Sequence, residues 1–578
     1  MLYHDSRNPE YRLPLGARKA GEVVTLRLRV RRGTPNRVIL RLWWADSEQR
    51  HEMTASPKGD GLFEYALTLP DKAGLLWYYF IAEIDGCSFY YGNAYDQLGG
   101  VGAMYASQPP SYQLTVYDPD YKTPEWMSNG IMYQIMCDRF CGVNVKQPPQ
   151  GWLHDDWHEP PSNRVLVATG DNTADDFFGG NLEGVEEKLP YLKELGVTVI
   201  YFNPIFRSPS NHKYNTSDYA QIDPSFGTER DFTRLCKKAE KLGIRVILDG
   251  VFSHTGSDSK YFNKNGNYGN GGAYRSKRSP YFKWYSFENW PEKYDCWWGF
   301  KTLPNVNELE PTYLDYILTG DKAIVPKWLN KGAAGWRLDV ADELPMDFLR
   351  ILRKSAKAAK PDCCVLGEVW EDASHKEAYG EVRSYCLGDT LDSVMNYPLR
   401  EGVIDFLIGK LSAPQLKRRL DCLFENYPEP FYKSLMNLLG SHDKARIINR
   451  LSGATPENRP RELREHTPLS PSEYALGRLR YMKAWEFVCS LPGMPCIYYG
   501  DEAGQQGEDD PFCRATYPWG REDLALLEEI KRINQERLAS EVLRHGDLSL
   551  YVPDDDTIVV TRTLPGHPDY TYTLSRLL

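Results

Sequence analysis

333-AAGWRLDVADELP-345 lies in the middle of the chain and alternates charged with apolar residues. In a strand, this alternation places Arg337 and Asp339 on one face, and the intervening tryptophan, leucine and valine on the other. Taken alone, the pattern is typical of an amphipathic strand with one face in water. It equally fits a strand that points a charge pair into a site, and the surrounding sequence has to decide.

Strand-like and helix-like stretches alternate from about Pro124 onward. Helix-like segments such as 229-ERDFTRLCKKAEKLG separate most of eight apolar runs, which are 131-IMYQIMC, 197-VTVIYFN, 244-IRVILDG, 335-GWRLDV, 364-CVLGEV, 393-SVMN, 435-LMNLLG and 495-PCIYYG. Such alternation predicts parallel strands, and a count of eight predicts a closed (β/α)₈ barrel. A doubly wound open sheet is the alternative, although no GxGxxG or GxxxxGK[ST] motif follows any run.

The predicted barrel is one part of a multidomain chain. Residues 1–120 contain short β-rich runs between turn residues, which predicts an all-β sandwich. We assign the barrel to residues 121–540, with an inserted subdomain after the third strand at about 253–310, because that connection is too long for a structureless loop. Residues 541–578 return to short β-rich runs and form a small C-terminal region.

The composition limits the class of protein. The chain has 578 residues, a formal net charge of −10 and a pI of about 5.7. No basic patch that would bind nucleic acid is visible, no run reaches the length of a membrane span, and the start lacks a secretory leader pattern. The 12 cysteines lack paired metal-type spacing. These features together predict a cytoplasmic protein with free thiols.

Titratable side chains gather at the C-terminal ends of the predicted strands, where barrel proteins place their active sites. These residues are Asp249 in the third run and His254 just after it, Arg337 and Asp339 in the fourth, Glu368 in the fifth, and His442 and Asp443 after the seventh. Each of them alone is explained by a turn, a cap or an ordinary buried histidine. Gathering several carboxylates at one mouth is electrostatically costly and indicates a function.

Carboxylate pairs beside a guanidinium suit the cleavage of acetals. One carboxylate attacks or stabilises an oxocarbenium-like centre, and a second, kept protonated, donates to the leaving oxygen. The apolar sequence neighbours of Glu368 favour its protonated form, whereas Arg337 favours the ionised form of Asp339. No Ser or Cys occupies a nucleophile elbow at a strand end, so Ser or Cys hydrolase chemistry lacks its parts.

The segments that carry these residues resemble the α-amylase superfamily of retaining α-glycosidases, and more narrowly the neopullulanase, cyclomaltodextrinase and maltogenic amylase group. The main matching segments are 248-LDGVFSHTG, 335-GWRLDVADE, 366-LGEVWEDAS and 438-LLGSHD, in the order of the family. Supporting matches are 201-YFNPIFRSPSNHKYNTSDY, 303-LPNVNE, 392-DSVMNYPLRE, 497-IYYGDEAG and 510-DPFCR. These matches span roughly residues 130–515. The predicted N-terminal sandwich, residues 1–120, resembles the carbohydrate-binding-type domain that precedes the barrel in this group.

The resemblance implies a retaining glycoside hydrolase that cleaves α-glucosidic, mainly α-1,4, bonds of maltodextrins, cyclodextrins, pullulan or starch. It implies Asp339 as nucleophile, Glu368 as acid/base and Asp443 as transition-state stabiliser. The substrate-binding positions that it implies are Tyr214, His254, Arg337, His442, His212 and Asp249. Two alternatives stay open, namely an α-glucan transglycosylase and a catalytically inactive carbohydrate-binding homologue.

The chain departs from the family at the usual calcium positions. Ser253 stands where many relatives have Asn, Asn181 stands where Asp is frequent, and the loop 140-FCGVNVKQPP lacks acidic residues. Calcium takes about six to eight oxygen ligands, preferably including carboxylates. We therefore predict that no cofactor is required, and calcium is the one metal that stays open as an alternative. The group also often dimerises through its N-terminal domain, which implies a homodimer through residues 1–120.

Two aromatic-rich segments lie outside the proposed catalytic set. The aromatic rings of 294-YDCWWGF would either stack on sugar rings or form the core of the insert. The segment 152-WLHDDWHEPP has a His and Asp spacing that fits no metal rule. We predict that this second segment is an exposed loop.

Overall fold

The computed structural model describes residues 2–162, 164, 174–453 and 468–577. The chain divides into two compact units, here called the N-terminal unit and the barrel unit. The N-terminal unit comprises Met1–Thr123, Trp370–Asp392 and Ser412–Ser434, and the barrel unit comprises Pro124–Val369, Ser393–Leu411 and Leu435–Leu578. The domain boundaries given above stay a prediction.

Eight parallel strands form a closed barrel in the barrel unit. In chain order they are β1 Met132–Ile135, β2 Val199–Phe202, β3 Arg245–Gly250, β4 Gly335–Leu338, β5 Cys364–Gly367, β6 Ser393–Val394, β7 Met436–Leu438 and β8 Met494–Tyr498. Each strand pairs with its sequence neighbour from β1 to β6, and β8 pairs with both β7 and β1. A parallel bridge between Met395 and Met436 joins the sixth and seventh strands. The predicted (β/α)₈ barrel is confirmed, and the open sheet is wrong.

Alternate positions along each strand point into the barrel, and their character changes from apolar to polar toward the C-terminal ends. Met132, Val199, Ile247, Cys364 and Leu366 belong to one buried apolar cluster. Further toward the C-terminal ends, the inward positions carry polar or charged side chains, which are Gln134, Asn203, Asp249 and Glu368. The same two-residue period gives β4 its inward Arg337. The strand pattern therefore places a polar mouth above an apolar floor.

Helices alternate with these strands around the barrel. They are Cys137–Phe140, Leu182–Glu187, Leu189–Glu194, Glu229–Lys241, Ile324–Asn330, Met346–Ala359, Tyr397–Leu407, Ile447–Leu451, Pro471–Ser490, Leu524–Ala539 and Glu541–His545, with single turns at Glu125–Met127, Ala341–Glu343, Asp501–Ala503 and Phe512–Arg514. A capping box between Thr228 and Asp231 starts the helix after β2, and that helix buries one apolar stripe. Short strand pairs occur at Trp152–Leu153 with Asp176–Phe177 and at Phe206–Arg207 with Asp218–Ile222.

The connection from β3 to β4 is an ordered insert, as predicted. It contains a hairpin of Phe287–Asn289 with Lys293–Tyr294, and helical segments at Phe282–Trp284, Trp297–Gly299, Pro311–Leu314 and Asp315–Thr319. Aromatic rings fill its interior, where Phe262 contacts Tyr285 and Tyr294 edge to face. These contacts give the insert a small core of its own.

The N-terminal unit contains two sheets that enclose one apolar core. The first sheet comprises Leu2–Tyr3, Arg12–Leu13, Val23–Val30, Thr54–Ala55 and Leu62–Thr68, and the second comprises Arg18–Lys19, Pro35–Trp44, Ser47–Glu52, Gly74–Ile84, Cys87–Gly92, Ala103–Tyr105 and Tyr112–Tyr117. Leu26 and Leu28 from the first sheet and Leu40 and Phe80 from the second belong to the same buried cluster. The predicted all-β sandwich is confirmed. This unit also contains a hairpin, Lys376–Ala378 with Glu381–Arg383, and helices Ala413–Asn426 and Glu429–Tyr432.

Three antiparallel strands follow the last helices of the barrel unit, at Asp547–Asp554, Thr557–Thr563 and Tyr570–Ser575. They confirm the β-rich C-terminal region. Arg562 anchors them, because its guanidinium donates to the carbonyls of Ser490 at 2.9 Å and Gly546 at 2.7 Å. Among the described residues, no helix combines the length and apolar character that a membrane span requires.

Candidate active site

One guanidinium at the mouth of the barrel contacts three carboxylates. Arg337 Nη1 lies 2.9 Å from both Asp249 Oδ1 and Asp339 Oδ1, and Nη2 forms an ion pair with Glu368 Oε2 at 2.7 Å. Strand register brings them together, because Asp249 pairs with Arg337 and Glu368 lies just beyond the β5 strand. Arg337 is fully buried, while the side chains of Asp339 and Glu368 are 9% and 6% exposed.

Burial raises the pKa values of two carboxyls in this cluster, Asp249 and Asp339. Desolvation raises the pKa of Asp249 to about 6, against the opposing effect of Arg337. Desolvation also raises the pKa of Asp339 well above its ordinary value, and the neighbouring Glu368 adds to the rise. Arg337 lowers the pKa of Asp339, as expected from the sequence, but burial outweighs it. Asp249 and Asp339 therefore favour retention of a shared proton.

The residue after Asp339 carries backbone strain. Val340 has φ +38° and ψ +61°, a left-handed conformation that β-branched residues rarely adopt. In this conformation the Val340 N–H donates to Glu368 Oε2 at 2.8 Å. Such strain costs on the order of 1–3 kcal/mol and is found at sites where a fixed geometry serves function. The backbone next to Asp339 thus holds the second carboxyl in place.

The hydroxyl of Tyr214 is the centre of a second group of contacts. It lies 3.0 Å from Asp249 Oδ2 and 2.7 Å from His442 Nε2, and it accepts from Asn203 Nδ2 at 2.9 Å. The rings of Tyr214 and His442 are almost parallel, with centroids 5.3 Å apart. Desolvation raises the pKa of Tyr214 well above its ordinary value, so the phenol is neutral.

His254 and His212 also contact Tyr214. His254 Nε2 lies 3.2 Å from the carbonyl oxygen of Tyr214, and His212 Nδ1 accepts the Tyr214 N–H at 3.1 Å. Burial lowers the pKa of His254 to about 4 and that of His212 to about 3. Both imidazoles are therefore neutral near pH 7 and each carries one N–H donor.

Asp443 completes the site from the β7 side. Its Oδ1 lies 3.3 Å from His442 Nε2 and 3.6 Å from Arg514 Nη2. Its side chain is 28% exposed, which makes it the most accessible of the three carboxylates predicted to be catalytic. Burial raises the pKa of Asp443, and Arg514 and Arg337 oppose that rise.

The structure joins all nine predicted site residues through these contacts. Four further residues were missed, which are Gln134, Tyr201, Asn203 and Arg514. Tyr201 Oη donates to Asp249 Oδ2 at 2.7 Å, and Arg514 Nε donates to the His442 carbonyl at 2.9 Å. The strand-end rule, applied to β1 and β2, would have found the first three. Arg514 is the last residue of the 510-DPFCR match, so the resemblance already contained the signal for it.

The donors at the expected calcium positions do not fit a calcium site. Ser253 Oγ lies 3.0 Å from His254 Nδ1, and Asn181 caps the helix Leu182–Glu187 by accepting from the Gly184 N–H at 2.8 Å. Both side chains are thus engaged in local structure and neither is a carboxylate. Within the described ranges, no cluster of three or more His, Cys, Asp or Glu side chains has the arrangement of a metal site. The absence of a required cofactor stays a prediction.

The segment 152-WLHDDWHEPP is exposed only in part. Asp155 and Asp156 are exposed, whereas the tryptophan and histidine side chains are half-buried or buried, so the exposed-loop prediction is wrong for these rings. The His154 side chain is only 4% exposed, stacks on Phe178 with centroids 3.9 Å apart, and places Nε2 3.3 Å from Asp176 Oδ2. Trp157 Nε1 donates to the Tyr517 carbonyl at 2.9 Å. Ring packing and a buried carboxylate therefore hold this segment against the barrel unit.

The aromatic residues of 294-YDCWWGF have two environments. Tyr294 is buried in the insert, whereas Trp298 is 78% exposed and has φ +47°. Trp298 Nε1 lies 3.3 Å from Glu343 Oε1, and the neighbouring Trp297 ring lies 6.0 Å from that of His254. Part of the segment is core, and Trp297 and Trp298 present aromatic surface close to a predicted substrate-binding residue.

Comparison with known proteins connects this geometry to a family. The family model described as "Alpha amylase, catalytic domain" matches residues 134–544. An amylopullulanase from Thermoanaerobacterium saccharolyticum is 38% identical over 98% of this chain. A cyclomaltodextrinase from Geobacillus thermopakistaniensis is 32% identical over 93% of this chain and 84% of its own length.

The comparison also shows how much of each relative is matched. The chain spans 47% of the T. saccharolyticum amylopullulanase, and 41% and 32% of two further amylopullulanases. The type III pullulan hydrolase from Thermococcus kodakarensis superposes with a TM-score of 0.63 at 26% identity, over 97% of this chain and 94% of that one. The similarity therefore extends beyond the barrel to both of its flanking β-rich regions.

Proposed function

The chain belongs to the α-amylase family, and we propose that it is a retaining glycoside hydrolase for α-glucosidic, mainly α-1,4, bonds. Its proposed substrates are maltodextrins, cyclodextrins, pullulan or starch. The observation that carries the proposal is the single buried guanidinium of Arg337, which contacts both Asp339 and Glu368 at the barrel mouth. A carboxylate pair this closely linked suits double displacement through a covalent intermediate.

In the first step, Asp339 attacks the anomeric carbon and forms a glycosyl ester, while Glu368 protonates the departing glycosidic oxygen. Glu368 Oε2 is engaged twice, by an ion pair with the guanidinium and by a hydrogen bond that it accepts from the Val340 N–H. The proton to be donated therefore belongs on Oε1. In the second step, ionised Glu368 takes a proton from water, and the resulting hydroxide displaces Asp339 to release the sugar.

The remaining residues position the reacting sugar. Arg337 orients Asp339, and the exposed edge of Asp443 accepts hydrogen bonds from ring hydroxyls as positive charge develops. The neutral imidazoles of His254 and His442 supply hydroxyl contacts. The Tyr214 ring offers a face on which a pyranose ring stacks. Asp249 and His212 hold this arrangement from behind.

The proposal is tested by incubating the protein separately with maltohexaose, β-cyclodextrin, pullulan and soluble starch. We expect shorter oligosaccharides by chromatography and, by early-time ¹H NMR, products with the α configuration. A first-formed β product would overturn the retaining mechanism. Products longer than the input would assign the activity to a transglycosylase. If none of the four glucans is cleaved or extended, the protein is the inactive carbohydrate-binding homologue.

Trp298→Ala is expected to raise KM for maltohexaose and starch about 5- to 20-fold, a range consistent with about 1–2 kcal/mol of lost stacking on a sugar. Hydrolysis of a short aryl maltoside should change less than about threefold, because the chemistry lies at Asp339. Steady-state kinetics on the two substrates make the comparison. Tyr551→Ala, another exposed aromatic on the C-terminal sheet, is the control. If Trp298→Ala and Tyr551→Ala have equal KM values on starch, Trp298 does not contact the substrate.

Removal of divalent metal is expected to leave the enzyme intact, because Ser253 and Asn181 offer no calcium site. After incubation with excess EDTA and desalting, kcat and the melting temperature should stay within error of untreated protein. Added calcium should not raise either value. A loss of activity that calcium restores would contradict the prediction.

Two further properties belong to the proposal. We place the protein in the cytoplasm because ten of its 12 cysteines, all of which lie within the described residues, are buried, as expected for structural thiols of a reducing compartment. The resemblance to the maltogenic amylase group supports a homodimer formed through residues 1–120. Sedimentation velocity distinguishes a dimer from a 66.4 kDa monomer. A single monomeric species at micromolar concentration would rule out the dimer.

A further inference from the structure

A chain of buried hydrogen bonds runs from Gln134 on β1 to the carboxylate cluster. Gln134 Nε2 lies 3.1 Å from Asn203 Oδ1 and 2.9 Å from His442 Nδ1. Asn203 Nδ2 lies 2.9 Å from Tyr214 Oη, which also lies 2.7 Å from His442 Nε2 and 3.0 Å from Asp249 Oδ2. Gln134 is fully buried, so these contacts form without competition from bulk water.

The number of available hydrogens determines the direction of every hydrogen bond between Gln134 and Asp249. The Gln134 amide has two N–H groups, one for Asn203 and one for His442 Nδ1, which must then be an acceptor. The Tyr214 oxygen accepts from Asn203 and from His442 Nε2–H, and its single hydrogen goes to the Asp249 carboxylate. In the reversed direction, Tyr214 would have one hydrogen for three acceptors, and the buried contacts could not all be satisfied.

We propose that Gln134 is a positioning residue that fixes His442 in the neutral tautomer with its proton on Nε2. This inference rests on the proposed function in one respect, namely that His442 binds a hydroxyl of the reacting sugar. With the proton on Nε2, His442 is a hydrogen-bond donor toward Tyr214 Oη and toward Asp443 Oδ1 at 3.3 Å. The opposite tautomer would present a lone pair to both oxygens.

The surroundings of His442 agree with a neutral imidazole. Desolvation lowers its pKa well below the ordinary value, and the guanidinium groups of Arg514 and Arg337 lower it further, while Glu368 opposes them. The charged and titratable groups that face this ring are Tyr214, His212, Asp443, Arg514, Arg337 and Glu368, and the Cys513 thiol contacts the His442 carbonyl behind it. The tautomer, rather than a change of charge, is therefore the property that Gln134 controls.

Gln134→Glu tests the inference because it keeps the side-chain shape and turns the amide donor into an acceptor. The introduced carboxylate would draw the proton of neutral His442 to Nδ1 and leave Nε2 bare. We expect kcat/KM for maltohexaose at pH 7.5 to fall about 10- to 100-fold relative to wild type. The variant-to-wild-type ratio should rise again toward pH 5, because protonation of either His442 or the introduced carboxylate restores the Nε2–H. Gln134→Met, which has no donor or acceptor comparable to the amide, should lose activity without this recovery.

A second readout does not depend on activity. In protein labelled with [¹⁵N]histidine, the signals of His442 are identified by their loss in His442→Gln. We expect a bare Nδ1 and a protonated Nε2 that stay unchanged between pH 5.5 and 8, and the reverse pattern in Gln134→Glu at pH 8. A protonated Nδ1 in the wild type would overturn the inference, as would a Gln134→Glu activity ratio that does not vary with pH. If no glucan is cleaved, the NMR result still stands alone, so failure of the function and failure of the tautomer assignment are distinguishable.

Discussion

Asp339→Asn is expected to lower kcat on maltohexaose by about 10⁴-fold or more. Glycosidases depend on a covalent step for a large share of their rate enhancement, and an amide oxygen is a poor nucleophile that cannot carry the negative charge. The substitution is nearly isosteric, and the remaining oxygen can still accept from Arg337 Nη1. The loss should therefore appear in kcat with little change in KM, as expected for an interaction that acts on the transition state.

The matched control is Asp347→Asn at the start of the helix Met346–Ala359. The Asp347 side chain is 71% exposed and pairs only at the surface with Arg350. We expect kcat within about twofold of wild type, since exposed ion pairs contribute little. Circular dichroism should give the same melting profile for Asp339→Asn as for wild type, or a slightly higher melting temperature. If Asp339→Asn retains more than about a tenth of the wild-type kcat, the nucleophile has been misassigned.

Arg337→Met is expected to have the largest effect on stability. The variant keeps an unbranched side chain but leaves Asp249, Asp339 and Glu368 buried without their shared cation. Breaking a buried pair in this way typically costs about 3–5 kcal/mol of unfolding free energy at neutral pH. Activity should be lost as well, because Asp339 would lose its orienting partner.

The cost of Arg337→Met should depend on pH. Without the guanidinium, the folded-state pKa values of Asp249 and Asp339 rise further above their unfolded values of about 4. A group with a raised folded pKa destabilises the fold as pH increases through that range. Urea unfolding at pH 7.5 and pH 5 should therefore show a smaller deficit, relative to wild type, at pH 5. A deficit that is equal at both pH values would contradict this account of the cluster. Arg350→Met, at a half-exposed position, should cost less than about 1 kcal/mol at either pH.

Much of the barrel could be predicted from the sequence because the inward positions of its strands change from apolar to polar or charged residues where the strands end. The alternation around Arg337 and Asp339 predicted a strand with a charged face, and seven other runs of similar type predicted closure. Once a parallel barrel is assumed, the ends of β3, β4, β5 and β7 must meet at one mouth. That single geometric rule gathered Asp249, Glu368 and Asp443 from distant parts of the chain.

The details that the sequence did not predict depend on three-dimensional packing. The left-handed conformation of Val340 has no local signal, since a valine is among the least expected residues there. The burial of His154 follows from its stacking on Phe178, which no spacing rule encodes. The role of Gln134 depends on its hydrogen bonds to Asn203 and His442, which come from two other parts of the barrel and have no signal in the local sequence. Sequence patterns thus predicted the charged groups, whereas the polar supports of those groups required the fold.

The most direct test of the proposed mechanism is to trap its covalent intermediate. Glu368→Gln lacks the base for the second step, and an α-maltosyl fluoride needs no acid to depart in the first. Mass spectrometry of the digested protein should find a maltosyl unit on the peptide that contains Asp339. An adduct on another residue such as Asp443, or no adduct although fluoride is released, would contradict the assignment of Asp339 as the nucleophile of a retaining glycosidase.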